Sequence, residues 1–296
     1  MHHFSERSVR ELLNKLSEAM YRPAAPVPVA GEEVTALVGQ ALVVIPAGGF
    51  GTRMRGAGMP EGGIQQKALL PLPGGETLIG RLVRQYREAG FRRFLALVNH
   101  EGQAVAEHLG DGAAWGVEIR CSFDPIPAGA GRSGALRHAM AMGLITPEDR
   151  LIVHNADCQL MGYPGCLSID LARAHLATRR QMAAVATLVA VDGTPYPFTG
   201  MRIQCGRVTE VAMYPFIPLP THTGITLLDC EAQQDLQEEP DAGGRGNFEA
   251  TLFPRWAGEG RLGALVISHA HWVAVDDQKS YQRLCGYLTG RQSTGS

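Results

Sequence analysis

Residues 47–53 have the sequence AGGFGTR, and the segment KALLP begins at Lys67. Glycines after a strand let several backbone N–H groups point at one place, and such a nest binds phosphate oxygens. Arg53 adds a bidentate guanidinium fork and Lys67 a compact ammonium, both suited to phosphate. The pattern predicts a polyphosphate site whose backbone contacts come from Ala47, Gly48, Gly49, Gly51 and Thr52.

Two other glycine-rich sites are excluded by the residues that follow the glycines. A Walker loop requires Gly-Lys-Ser/Thr, where this chain has Gly51-Thr-Arg53. The dinucleotide fingerprint requires a third glycine, where this chain has Met54. A ligand-free turn between strand and helix would explain the glycines alone, and the two cations favour the phosphate site.

Acidic residues follow two short apolar runs. Asp157 comes after Leu151-Ile-Val-His-Asn-Ala, and Asp276 and Asp277 come after Trp272-Val-Ala-Val. An acid at the carboxyl end of a buried parallel strand lies where α/β sheets bind ligands. Carboxylate oxygens are also the protein ligands that Mg²⁺ prefers. Asp157 is a candidate metal ligand, although its position also suits a helix cap.

These residues must be positioned by strands that alternate with helices. The apolar pattern predicts strands at 41–46, 94–98, 117–121 and 151–154, and helices at 8–20, 77–89 and 134–142. This alternation predicts an α/β fold with a three-layer, mostly parallel mixed sheet. Strand-like segments with few helices follow at 183–191, 201–205, 208–213 and 224–228. We expect them to extend the sheet and to add a smaller antiparallel lid.

The chain divides into an extension, one large domain and a short tail. Residues 1–39 are predicted to hold a helix and a proline-rich linker, since three prolines in residues 23–28 cannot continue a helix. The extension could cap the domain, pair subunits or pack on its own chain. The domain at 40–290 is predicted to have two functional halves, at 40–182 and 183–290, with a tail at 291–296.

The composition and the cysteine spacing argue against several classes of protein. The chain is 45% hydrophobic and 19% charged, with a net charge of −2, as in ordinary globular proteins. No basic footprint for nucleic acid is present, and the cysteine spacing fits neither zinc nor redox motifs. We expect reduced cysteines. No apolar run is long enough for a membrane span, and no signal-peptide layout is present. These features predict a cytoplasmic protein.

Gly48-Gly-Phe-Gly-Thr-Arg-Met54 followed by Lys67-Ala-Leu-Leu-Pro71 resembles the signature of the sugar-1-phosphate nucleotidylyltransferases, which make nucleotide sugars. The resemblance implies their Rossmann-like nucleotide-diphospho-sugar transferase fold. It also implies that Asp157 and Asp276 bind Mg²⁺ or Mn²⁺, with Asp277 as the alternative second ligand. Arg53 and Lys67 would hold the departing pyrophosphate. The implied partners are a nucleoside triphosphate and a phosphorylated sugar or sugar-like molecule.

The resemblance continues through the segments that meet the base and the acceptor. Residues 127–136 resemble the family's glycine-rich segment near the nucleobase, although Arg132 stands where a small residue is usual. Residues 247–254 resemble a segment of the mannose- and heptose-phosphate guanylyltransferase branch. The family's base contacts would fall on Gly131 and Gly134, and its acceptor contacts on Thr223, Gly224 and Glu249. Glycine-assisted helix initiation and a charged first helical turn are the structural alternatives.

The resemblance makes residues 40–182 the nucleotide half of the domain and residues 183–290 its acceptor half. One residue that the family has in the acceptor half is missing from this chain. The family has Glu-Lys-Pro, whose lysine grips the acceptor phosphate, where this chain has Val211-Ala-Met-Tyr-Pro215. No lysine lies near this stretch in the sequence. Tyr214 is predicted to donate one hydrogen bond, and the candidate replacements for the lysine are Arg202, Arg207 and Arg245.

The sequence therefore predicts in-line transfer of a nucleotidyl group from a nucleoside triphosphate to a sugar-1-phosphate or cyclitol phosphate, with release of pyrophosphate. A second hypothesis is cytidylyl or other nucleotidyl transfer to a non-sugar phosphate or phosphonate. A third is a catalytically reduced homologue that binds nucleotide sugars and regulates a partner. Assembly into a homo-oligomer is compatible with each of them.

Overall fold

The computed structural model describes residues 14–48, 66–99, 102–124, 130–239 and 246–290. The predicted site residues Gly49, Gly51, Thr52 and Arg53 lie outside these ranges, as do Arg245 and the tail. None of the helices in the described ranges is long and apolar enough to cross a bilayer. All six cysteines lie within these ranges, and none of them forms a disulfide in this structure.

The described part of the chain contains thirteen strands and eight helices that we label in order. The strands are β1 (Leu42–Pro46), β2 (Arg93–Val98), β3 (Glu118–Phe123), β4 (Leu151–His154), β5 (Cys158–Leu160), β6 (Ala186–Val191), β7 (Thr194–Pro195), β8 (Gly200–Gln204), β9 (Arg207–Ala212), β10 (Phe216–Ile217), β11 (Thr221–Leu228), β12 (Leu262–Ile267) and β13 (Trp272–Ala274). The helices are α1 (Gly31–Gln40), α2 (Leu78–Glu88), α3 (Gln103–Leu109), α4 (Gly131–Ala141), α5 (Leu167–Met182), α6 (Ala232–Glu238), α7 (Phe248–Gly258) and α8 (Gln278–Leu288). Residues 14–20 are also helical.

Seven strands form the central sheet in the order β12-β6-β11-β4-β1-β2-β3. Neighbouring strands are parallel except where β11 pairs with β4 and with β6. The predicted mostly parallel mixed sheet is therefore confirmed. Because the carboxyl ends of β1, β2 and β4 share one edge, side chains that follow these strands converge there.

Both faces of the sheet are buried, as the period of two in β1 shows. Val43 and Ile45 face one core cluster, whereas Leu42 and Val44 face the other. The first cluster is covered by α1, α2, α3 and α5, and the second by α4, α6 and α7. This gives three layers. Helix α2 begins where predicted because the Oγ1 atom of Thr77 accepts a hydrogen bond from the N–H group of Gly80 at 3.1 Å.

Three small antiparallel sheets accompany the central sheet in the described part of the chain. Strands β8 and β9 form a hairpin, β7 pairs with β10, and β5 pairs with β13. The predicted antiparallel addition is present as these separate pairs. Of these, the β5–β13 pair has the most direct effect on the site, because it joins two distant parts of the chain.

Candidate active site

A third apolar cluster holds together the segments that carry Lys67, Asp157 and Asp276. Its members come from the segments that flank these three positions, from the start of α2 and from α8: Leu70, Leu72, Leu78, Met161, Val273, Val275 and Leu284. Asp157 immediately precedes β5, and Asp276 follows β13 by one residue. Antiparallel pairing of β5 with β13 places Cys158 opposite Ala274. The N–H group of Val275 also donates to the carbonyl of Asp157 at 2.9 Å. The two acids are thus neighbours because their strands are paired.

Lys67 lies between these two acids. Its Nζ atom is 2.6 Å from Oδ2 of Asp157 and 2.7 Å from Oδ1 of Asp276. The lysine side chain is only 12% exposed, against 30% for Asp157 and 54% for Asp276. Burial opposes the charge of Lys67, but the two carboxylates outweigh this effect, and the pKa of Lys67 lies above its ordinary value. The three side chains therefore form a charged cluster near the carboxyl end of β4.

The neighbouring acid, Asp277, has a different contact. Its Oδ1 atom accepts a 2.7 Å hydrogen bond from the N–H group of Ser280 and caps α8 in a capping box. Backbone and side-chain hydrogen bonds from Ser280 hold the pKa of Asp277 below its ordinary value. Asp277 therefore fixes the start of α8, while Asp276 faces Lys67.

Two polar residues beside the glycine loop were absent from the sequence prediction. Asn99 follows β2, and its Oδ1 atom accepts a 3.0 Å hydrogen bond from Nε2 of Gln66, the residue before Lys67. A Cβ atom on Gly48 would lie 3.3 Å from the backbone nitrogen of Asn99. Both side chains are buried, and the amide nitrogen of Asn99 has no hydrogen-bond partner among the described residues. Its position at the end of an apolar run was the signal that could have identified it.

At the end of β1, the backbone N–H group of Ala47 is used within the sheet. Ala47 is buried, and its N–H group donates to the carbonyl of Leu97 at 2.8 Å as part of the sheet. The N–H group of Ala47 therefore already has a hydrogen-bond acceptor within the sheet.

A second charged cluster joins the N-terminal ends of α4 and α7. Nη1 of Arg132 is 2.5 Å from Oε2 of Glu249, and Nδ1 of His222 is 3.9 Å from Oε1 of the same glutamate. Gly131 has φ of +69°, and a Cβ atom there would lie 2.4 Å from the carbonyl oxygen of Gly246. Only glycine permits this contact between the two helix starts. Gly134 lies half-buried within α4.

The β11 segment has an irregular register between His222 and Ile225. The side chain of Thr223 is buried, and its hydroxyl donates to the carbonyl of Val189 at 2.8 Å. Gly224 has φ of +82°, and a Cβ atom there would lie 2.4 Å from Nδ2 of Asn155. The backbone of Gly224 therefore packs against the turn that carries Asp157.

Tyr214 lies between β9 and β10, with φ of +49° and an exposed side chain. The Nζ atom of Lys279 lies 5.8 Å from the centroid of its ring, within the range of a cation–π contact. The sequence showed no lysine near this stretch, but α8 brings one there. Of the predicted replacements, Arg202 pairs with Glu210 at 3.6 Å across the hairpin, and Arg207 lies exposed on β9.

A family model matches a continuous part of the chain that includes Lys67 and Asp157. Residues 43–212, more than half of the chain, match the MobA-like NTP transferase domain. The chain belongs to this family. It is thus a nucleotidyltransferase, as the sequence predicted, and two of the three clustered side chains, Lys67 and Asp157, lie within the matched range.

Solved structures share the fold of the transferase. A putative glucose-1-phosphate thymidylyltransferase from Bacillus anthracis, solved with sucrose, is 19% identical with a TM-score of 0.61, over 86% of this chain and 98% of that one. HddC from Yersinia pseudotuberculosis is 17% identical with a TM-score of 0.58, over 84% and 99% of the two chains. No curated protein matches by sequence. At these identities the likeness concerns the fold.

Proposed function

We propose that the transferase joins a nucleotidyl group from a nucleoside triphosphate to a sugar-1-phosphate or a sugar-like cyclitol phosphate. The observation that carries this proposal is the contact of Lys67 with both Asp157 and Asp276 beside Gly48. A phosphate oxygen of the acceptor attacks the α-phosphorus and forms a new P–O bond. The bond from the α-phosphorus to the bridging oxygen breaks, and pyrophosphate leaves with its electron pair.

Lys67 is suited to stabilise the negative charge that develops on the departing pyrophosphate. Positioning and charge neutralisation are most of what phosphoryl-type transfer requires of a protein. The ammonium is nearly buried, so its interaction with an oxyanion is weakly screened. In this proposal Lys67 exchanges a carboxylate for an oxygen of the leaving pyrophosphate. Arg53, outside the described residues, supplies the second cation.

Asp157 and Asp276 fit a divalent cation. Their oxygens already contact one cationic nitrogen, so both carboxylates face one point. Mg²⁺ often takes one or two protein carboxylates and completes its shell with water and substrate phosphates. A bound Mg²⁺ would neutralise phosphate charge and orient the reacting oxygens.

We propose two groups of residues for binding the acceptor. Lys279 and Tyr214 are proposed to bind its phosphate, since Lys279 lies three residues beyond Asp276 and contacts the tyrosine ring. Glu249 is proposed to accept hydrogen bonds from acceptor hydroxyls, with Arg132 fixing its orientation. Gly131, Gly134 and the buried Asn99 are proposed to lie on the nucleotide side.

The direct test is release of pyrophosphate from each of the four common nucleoside triphosphates, with Mg²⁺ and a panel of sugar-1-phosphates. We expect one pairing to release pyrophosphate in an amount equal to the nucleotide sugar formed. Lys67→Ala should abolish turnover, whereas the matched change Lys15→Ala, in the exposed N-terminal helical segment, should leave it unchanged.

Three outcomes would contradict the proposal. Full activity of Lys67→Ala would reject the role of the lysine. Turnover only with non-sugar phosphates or phosphonates would favour the second hypothesis from the sequence. Saturable nucleotide binding without turnover on any acceptor would favour the regulatory one.

A further inference from the structure

A cavity of about 460 Å³ lies outside the cluster of Lys67, Asp157 and Asp276. It is an open-sided cavity bordered by α2, the end of β4, residues 162–168 and the last turn of α8. Its volume is in the range of pockets that bind small metabolites. The side chains that matter for the argument are Arg81, Gln85, Tyr163, Cys166 and Tyr287. None of them belongs to the predicted site.

The guanidinium of Arg81 lines this cavity without an anionic partner. Arg81 is 6% exposed. Nη1 donates to Oε1 of Gln159 at 2.8 Å and Nη2 to the carbonyl of Leu160 at 2.9 Å, and both acceptors are neutral. Within the described ranges Nε has no hydrogen-bond partner. A buried charge that lacks a counter-ion is costly, so an anion in the cavity would relieve this cost.

Nearby acids and histidine do not supply the missing charge. Glu76 forms its ion pair with Arg84 at 2.5 Å, although its charge also acts on Arg81. Glu88 lines the cavity, but its carboxylate is about half exposed and pairs with Arg84 at 3.3 Å. His154, on the wall of the cavity, is buried, which lowers its pKa to about 4. At neutral pH it therefore carries no charge, and Arg81 remains the buried charge of the cavity.

The start of α5 adds a second attraction for an anion. This 16-residue helix begins at the cavity, and Cys166 at its N-cap makes no side-chain capping hydrogen bond. N–H groups in a first turn and the helix dipole both favour negative charge. Asp170 lies in this turn, but its charge is paired with Arg173 at 2.9 Å, and it also accepts from the hydroxyl of Tyr163.

We propose that this cavity binds a small phosphorylated metabolite of about the size of a hexose phosphate. Its phosphate lies between Arg81 and the first turn of α5. The remainder of the molecule contacts the rings of Tyr163 and Tyr287, whose flat faces suit a sugar ring. Orthophosphate alone would leave most of the 460 Å³ unfilled, so we expect the organic phosphate to bind more tightly.

The occupant is connected to the active site by two hydrogen bonds. Arg81 donates to Gln159, and Nε2 of Gln159 donates to the carbonyl of Ala156 at 2.9 Å. Ala156 precedes Asp157 in the chain. Binding in the cavity therefore acts on the backbone that positions Asp157, and we expect it to change the rate of transfer. This last expectation rests on the proposed function, whereas binding does not.

The test uses Cys166, an exposed thiol on the wall of the cavity, as the reporter. The full chain is alkylated with iodoacetamide with and without glucose 6-phosphate, and each cysteine peptide is quantified by mass spectrometry. Cys205, the exposed thiol in the turn of the β8–β9 hairpin, is the internal control. At about ten times its Kd, glucose 6-phosphate should leave the cavity empty in only about a tenth of the molecules. Alkylation of Cys166 should therefore be about tenfold slower. Cys205 should be unaffected.

Two variants locate the binding. Arg81→Gln removes the charge, and Gln85→Trp fills the cavity while leaving every hydrogen bond of Arg81 in place, so it decides the question if the first variant does not fold. Both should abolish protection of Cys166. Equal alkylation with and without glucose 6-phosphate, or protection that survives Gln85→Trp, would overturn the proposal. Equal protection by orthophosphate would overturn its size requirement. Protection with an unchanged transfer rate would overturn only the coupling to Asp157.

Discussion

Asp276 and Asp277 allow the same chemical change to be made at adjacent positions with different expected results. Asp276→Asn removes the charge that faces Lys67 at 2.7 Å and keeps the size of the side chain. Because Asp276 is about half exposed, its contribution to stability is small, under about 1 kcal/mol. Its effect on catalysis should be larger. Loss of one positioned electrostatic group typically reduces kcat about 100- to 1,000-fold, equivalent to about 3 to 4 kcal/mol.

Asp277→Asn should leave both activity and stability nearly unchanged, because asparagine caps a helix about as well as aspartate. Asp277→Ala, which removes the 2.7 Å bond from Ser280, should lower the free energy of unfolding by about 1 kcal/mol and retain most of the activity. The assays are pyrophosphate release and urea unfolding of the same preparations. Loss of activity in Asp277→Asn with full activity in Asp276→Asn would refute the assignment.

Three further predictions concern the surrounding framework. Gly224→Ala should reduce kcat at least about tenfold, because a Cβ atom 2.4 Å from Nδ2 of Asn155 forces the adjoining turn to move; Gly206→Ala, in an open turn, is the control, and equal activity of the two variants would refute the reasoning. Lys279→Ala should raise KM for the acceptor phosphate about tenfold or more through loss of a charged contact, with KM for the nucleotide unchanged; the opposite pattern would place this lysine on the nucleotide side. Asp229 is fully buried, and although burial raises its pKa, hydrogen bonds from His175 and Cys230 and the charge of Arg150 bring that pKa well below the ordinary value. Its stabilisation is therefore complete above about pH 4 and is lost as pH falls further, so urea unfolding between pH 5 and pH 3 should show a steeper loss of stability in the wild type than in Asp229→Asn.

The parts of the fold that the sequence predicted are those in which apolar residues follow one period. Strand β1 is buried on both faces and lies between Ala47 and the buried Ala41, so its short apolar run and the glycines after it were sufficient. Helix α2 was bounded correctly because Thr77 caps its start and Gly90 follows its end. The order of strands could not be predicted, since β11 enters the sheet between β6 and β4 from a distant part of the chain.

Helix α5 shows where periodicity fails as a signal. Its buried stripe mixes apolar residues with polar ones, namely Leu167, Ser168, Leu171, Ala172, His175 and Thr178. His175 and Thr178 are buried because they hydrogen-bond to Thr187 and, in the case of His175, to Asp229. A count of apolar residues therefore underestimates the buried face. Helix α1, which buries Val34, Leu37 and Val38 in the core, was assigned to the N-terminal extension because four apolar residues in ten give a weak pattern.

Within the site, residues that follow strands were predictable and contacts between distant side chains were not. Lys67, Asp157 and Asp276 follow apolar runs or a glycine loop, and the structure brings them together. The approach of Lys279 to Tyr214 depends on how α8 packs, which no local pattern encodes. The choice between the two adjacent acids could have been read from Asp277 and Ser280, whose spacing is that of a capping box.

The proposed reaction moves the α-phosphorus of a nucleoside triphosphate to an acceptor phosphate. It can be followed in a single turnover with α-³²P-labelled nucleoside triphosphates, Mg²⁺ and the sugar-1-phosphate panel. We expect the label to appear in a nucleotide sugar, with unlabelled pyrophosphate released in equal amount and no label on the protein. Label found in a nucleoside diphosphate, in free nucleoside monophosphate or covalently on the chain would rule this reaction out.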